Sequence, residues 1–115
     1  MKYLLLLHSD ESKAPAPGSP EMDQLQAAYG KFFEALNAGV FLGGDPVQNS
    51  STAFTVRQRN GETQRAAGTF APESDPVIGY YVLECTSDDE AAGYAAKIPA
   101  AGAGAIEVRP ILDQG

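Results

Sequence analysis

The sequence predicts an α+β domain: an antiparallel sheet of ferredoxin-like order with two helices on one face. Three observations carry that prediction. Two segments place apolar residues three and four apart, as helices do, and short runs of extended-chain residues surround them. The Asn60-Gly61 dipeptide, set between two such runs, marks a tight antiparallel turn. The order of strands and helices along the chain then matches helices packed on one face of an antiparallel sheet.

Lys2–Leu7 reads as the first strand. Alternation places Tyr3, Leu5 and Leu7 on one side and Leu4, Leu6 and His8 on the other, so both faces are apolar. Such a strand needs cover on both sides. The stretch from Asp10 to Ser19, with Pro15, Pro17, Gly18 and the flanking Pro20, reads as a loop. Ser19 suits an N-cap, with Pro20 at the first helical position and Glu21 and Asp23 in the first turn. Met22, Leu25, Tyr29, Phe32 and Leu36 then form a single stripe, and Gly39 ends the helix.

Val40–Leu42 reads as a short extra extended segment, stopped by Gly43, Gly44 and Asp45-Pro46. Ala53–Gln58 and Glu62–Ala67 read as antiparallel strands joined by the Asn60-Gly61 turn. A loop around Pro72–Pro76 leads to a strand at Val77–Cys85. Ser87, with Glu90 three residues on, forms a capping box for a second helix with the stripe Ala91, Tyr94, Ala95 and Ile98. Pro99 is expected to stop that helix, Ala100–Gly104 to be a loop, and Ala105–Ile111 to be the last strand. The frame is strand, helix, strand, strand, helix, strand, within a single domain spanning residues 1–115.

Fifteen Asp and Glu against eight Lys and Arg give a net charge of −7, which repels phosphate backbones and anionic lipid. Direct nucleic-acid and membrane partners are therefore not expected. Leu4–Leu7 is too short for a signal-peptide core or a bilayer span. The lone Cys85 can form no internal disulfide and suits a reducing compartment, so a cytoplasmic location is expected. One His and one Cys far apart fit no metal-site spacing, and there is no Gly-rich phosphate loop before a helix, so no metal or cofactor is expected.

Taken in order, the pieces Gly68–Phe70 (GTF), Gly79–Glu84 (GYYVLE), Lys97–Ala101 (KIPAA) and Ile106–Ile111 (IEVRPI) resemble the YCII-related superfamily, in the branch named for a DGPF motif. The opening MKYLLLL and the Ala27–Gly44 stretch are similar to its first strand, first helix and Gly-Gly turn. The resemblance implies a dimeric α+β barrel, hence a homodimer. The naming motif is altered: Ala67-Gly68-Thr69-Phe70 stands where the family has Asp-Gly-Pro-Phe, so the acidic residue is missing. In some superfamily members a histidine on the first helix and an aspartate after the second have been suggested as a catalytic pair. Here the first helix has no histidine, and Ile98-Pro99 stands where that acid would be, so no catalytic role carries over.

Residue by residue, the candidates are these. His8 and Asp10 leave the first strand as an H-x-D cluster: either a general acid/base with an orienting carboxylate, or polar residues where a strand meets solvent. Tyr80 and Tyr81 point to opposite faces, one to pack and one with its hydroxyl free for a ligand. Arg109, sharing a strand face with Glu107, is either part of an ion pair or a carboxylate-holding group in a cavity. Asp45, in the turn after the Gly-Gly pair, is expected near the end of the first strand.

Two functional classes follow. The first is a non-catalytic small-molecule-binding or accessory dimer; the resemblance adds a link to transcription, since some DGPF-type proteins are associated with sigma-factor regulation. The second is a metal-free, cofactor-free enzyme acting on a small aromatic or lactone-like compound through His8. Independently of the resemblance, Leu4 and Leu6 on the face away from the helices argue for self-association.

Overall fold

The structure, a computed structural model, describes residues 1–71 and 73–113. Pro72, which opens the expected loop before the strand at Val77–Cys85, and the last two residues of the expected domain lie outside the described residues. The framework is β1 (Lys2–His8), α1 (Pro20–Ala35), β2 (Phe41–Pro46), β3 (Phe54–Arg59), β4 (Glu62–Ala67), β5 (Val77–Glu84), α2 (Asp88–Ala95), α3 (Pro99–Ala103) and β6 (Ala105–Pro110). Strands β2, β5, β1 and β6 form one antiparallel sheet in that order, the ferredoxin-like arrangement.

Two features differ from the expected frame. The short segment after α1 is a full strand, β2, that takes the edge of the sheet beside β5, extending through both glycines to Pro46. The β3–β4 pair, placed in the frame by its strong turn signal, instead forms a separate two-stranded ribbon. Its turn is as expected: Asn60 (φ 52°) and Gly61 (φ 78°) both lie in the left-handed region that a two-residue hairpin loop of this hand requires. The ribbon is thus an insertion between the second and third strands of a four-stranded sheet.

Alternation in β1 is as read. Tyr3, Leu5 and Leu7 are buried, and Leu4 and Leu6 are only partly covered. The buried set meets Leu83 and Tyr81 across β5 and Val108 and Ile106 across β6. Phe32 of α1 stacks on Tyr81, ring centroids 5.7 Å apart and 12° from parallel. Ala91, Tyr94, Ala95, Ile98 and Ala100 complete the core from the second helical region. All helices contribute to this one face.

The starts of α1 and α2 are capped by serine. Ser19 Oγ accepts from the Met22 N–H at 3.1 Å, with Pro20 first in the helix. Ser87 Oγ accepts from the Glu90 N–H at 3.1 Å, and Glu90 reaches back to the Thr86 N–H at 3.2 Å. Pro99 does not simply end a helix. It occupies the first turn of α3, where a missing N–H costs nothing, so the expected loop at 100–104 is mostly helical.

Candidate functional site

His8 closes β1 and inherits its side from the strand's alternation, with Leu4 and Leu6 rather than with the core set. The pairing with β5 then slips between Leu7 and His8, so that His8 sits opposite Val77. A bulge of this kind re-aims the side chain at a strand end. The Ser9 N–H continues the contact by donating to the Pro76 carbonyl at 3.2 Å. On the other flank Gly104 lies against the His8 carbonyl, where a Cβ would collide.

The imidazole is mostly buried, with 14 % of its side chain exposed. Nδ1 lies 2.9 Å from the Asp75 carbonyl oxygen, which can only accept, so Nδ1 carries the proton. In the neutral ring Nε2 is then a bare acceptor. It is buried and has no hydrogen-bond partner, the sole buried side-chain nitrogen or oxygen so placed among the described residues. The Glu73 carboxylate faces Nδ1 at 3.4 Å.

His8 helps to line a concave pocket of about 410 Å³. Its walls come from the loop after β2 (Val47, Gln48, Asn49, Ser50), the two ends of the hairpin (Ala53, Thr69) and the strand-entry segment (Glu73, Pro76, Val77). This size lies in the ordinary range for small-molecule sites, ~300–1,000 Å³. The wall at Ser50 is tied down from outside: Glu11 accepts from the Ser50 N–H at 2.7 Å and from its hydroxyl. The Thr55 hydroxyl donates to the Gly68 carbonyl at 2.9 Å, bracing the Ala67–Phe70 segment that supplies Thr69.

The other candidates are dispersed. Asp10 caps the turn at residues 11–13, accepting from the Ser12 N–H at 2.9 Å and the Ser12 hydroxyl at 2.7 Å. Those bonds hold its carboxyl below the usual range. Asp45 and Tyr80 do meet: the Tyr80 hydroxyl donates to Asp45 Oδ2 at 3.0 Å across the β2–β5 pair, which pushes that hydroxyl's pKa up. Tyr81 is a core residue, and burial pushes its hydroxyl up to about 12. Arg109 pairs with Glu107 at 3.2 Å on the exposed face. None of these five lines the His8 pocket. Glu73, which does, was missed in the sequence because nothing in its local pattern separates it from an ordinary loop acid.

A second hollow, about 570 Å³, lies between the N-terminus, Glu84 and residues 111–113. It presents charged and apolar groups but no imidazole. Burial pushes the Cys85 thiol up, which makes it a poor nucleophile. No group of three or more metal-ligating side chains converges among the described residues, and no helix there is long and apolar enough to cross a membrane.

The sequence profile of the YCII-related domain matches residues 1–114. An uncharacterised protein of Rhizobium meliloti (strain 1021) is 33% identical over 117 residues, covering 96% of this chain and 92% of the relative. Among solved structures, the 5-chloro-2-hydroxyhydroquinone dehydrochlorinase of Burkholderia phenoliruptrix AC1100, in complex with 2,5-dihydroxybenzoquinone, has the same fold. The two are 21% identical with a TM-score of 0.53, covering 97% of this chain and 94% of that one.

Proposed function

The chain belongs to the YCII-related domain family, and from that premise we propose that it binds a small hydroxylated organic molecule in the His8 pocket, where Nε2 accepts the ligand's hydroxyl proton. One observation carries the reading: Nδ1 is committed to the Asp75 carbonyl while Nε2 is buried with its lone pair unused. A buried polar atom without a partner costs roughly 1–3 kcal/mol, so a donor that reaches it recovers that energy. Among the described residues the pocket wall contains no Lys or Arg, and it includes Glu73. It therefore favours a ligand that arrives uncharged over a carboxylate or phosphate. A proton taken up at Nε2 gives an imidazolium whose other N–H already faces a carbonyl and a carboxylate.

The same arrangement is what general base catalysis needs, and the solved structure of similar fold is an enzyme acting on a hydroxylated ring compound. Catalysis by His8 is thus the second reading, and turnover separates the two. Hydroquinone, as a neutral probe, is titrated while the His8 ring resonances are followed by NMR. Binding should move them, and His8→Asn should weaken the affinity about tenfold, the loss of one hydrogen bond at a buried acceptor. Unchanged affinity in that variant would sink both readings. A probe recovered intact supports the binding role, and steady conversion supports the enzyme.

We also propose a homodimer. The structure exposes 7863 Å², whereas a compact chain of 12.1 kDa exposes about 6,000 Å². The excess is more than the ~800 Å² that each partner contributes to a standard interface. Leu4, Leu6 and Val82 share the face that no helix covers, and a second sheet stacked there would bury them.

A further inference from the structure

We infer that the β3–β4 hairpin is a docking arm that seats on the acidic body of a second copy of this chain. The inference rests on the homodimer reading and adds to it which element crosses to the partner.

The hairpin is unlike the rest of the molecule in charge. Residues 54–67 hold Arg57, Arg59 and Arg65 against one acid, Glu62, a surplus of two positive charges. The remaining residues of a chain with net charge −7 therefore carry a surplus of nine negative charges. A basic arm and an acidic body carry opposite surplus charge, so the arm of one copy is attracted to the body of another.

It is also under-packed. Every residue of β4 is exposed, and among the described residues the ribbon pairs only with itself. An isolated two-stranded hairpin is marginal in water and needs a further layer. Its exposed groups are those that interfaces use. Phe54 and Val56 are 55% and 56% exposed on one face, with the Arg65 guanidinium 4.0 Å from the Phe54 ring centre. Phe70, 76% exposed at the hairpin's exit, has the Arg57 guanidinium 5.3 Å from its ring centre. Arginine stacked on an aromatic ring is enriched at binding surfaces. The shape agrees: the chain measures 48 × 45 × 18 Å with a radius of gyration of 16.2 Å, against about 13 Å for a compact chain of this length. A nucleic acid would meet the three arginines but also the surplus negative charge of the body, so a second copy is the better match.

The test follows mass by light scattering and backbone hydrogen exchange of residues 54–67 as protein concentration rises from nanomolar to micromolar. The expected result is that hairpin amides slow in parallel with the doubling of mass. The triple variant Arg57→Glu, Arg59→Glu, Arg65→Glu should raise the concentration needed for association at least about tenfold, as should added salt. The matching Arg→Lys triple, which keeps the charge, should retain most of the association and guards against a merely misfolded hairpin. A dimer whose hairpin amides exchange at the monomer's rate overturns the arm and leaves the sheet-face dimer standing. A monomer at every concentration overturns both. Hairpin protection that appears only when duplex DNA is added also overturns it.

Discussion

Tyr3 shows how a single proton ties a strand to a helix. Its hydroxyl donates to Asp88 Oδ1 at 2.7 Å, joining β1 to the first turn of α2, and that bond pushes the hydroxyl from 10.0 up to about 12. Folding thus favours the protonated phenol. Its contribution is complete below about pH 10 and is lost as pH rises through the folded value near 12. Tyr81 acts in the same direction, through burial. Urea denaturation of the wild type should therefore show stability falling as pH rises above about 10, beyond the loss that the buried Cys85 thiol begins above 9.0. Tyr3→Phe should lower stability near neutrality and flatten that fall; an unchanged alkaline limb would show that the Asp88 bond contributes nothing. The residue-level chemistry was only partly legible in advance. His8 stood out as the sole histidine at a strand end, but its partners, the Asp75 carbonyl and the Glu73 carboxylate, lie 67 and 65 positions away along the chain. No spacing rule reaches that far. Nor could Asp10's own loop reveal that its carboxylate would be taken up by Ser12.

At the scale of elements, local signals served well where local interactions decide the structure. Caps, stripes and the Asn60-Gly61 turn each depend on neighbours within four residues, and the two serine N-caps and the turn are present as read. The first helix, however, ends at Ala35 rather than at Gly39, and Ile98 lies beyond the end of α2, capping α3. Strand membership depends on distant partners, and there the reading went astray. Phe41–Pro46 carries two glycines and a proline, a composition that argues against a strand. It nonetheless pairs along β5, at an edge where a proline N–H is not needed. The hairpin, with the better strand composition, pairs only with itself. Two substitutions test these assignments. Ser87→Ala removes the α2 cap and should cost about 1 kcal/mol, a fall in Tm of about 4 °C for a domain of this size. Gly61→Val forces a β-branched side chain to φ 78° and should loosen the hairpin. Exchange of amides 54–67 would rise while the protection of β1 and β5 is kept. Loss of protection throughout would mean that the ribbon is a structural part of the main sheet, contrary to the topology described above.

For the whole molecule, the fold class followed from the order of elements, whereas one strand's double-sided apolar pattern argued for a second copy. The helices cover Tyr3, Leu5 and Leu7, and the opposite face keeps Leu4, Leu6 and Val82 with Tyr80, Glu107 and Arg109 around them. Leu6 lies between Tyr80 of β5 and Glu107 of β6, near the middle of that open face. If a second sheet stacks there, a charge at position 6 is trapped between two layers, where desolvation costs several kcal/mol per ion. Each 1.4 kcal/mol is a tenfold change in dissociation constant, so Leu6→Glu should weaken the dimer at least about a hundredfold. The monomer's own core does not contain Leu6, so circular dichroism and the thermal transition of the dilute protein should stay close to those of the wild type. Light scattering at micromolar concentration then decides. A folded monomer for the variant beside a dimer for the wild type assigns the open face to the interface. A dimer in both would place the interface elsewhere and leave Leu4 and Leu6 without the cover that their pattern demands.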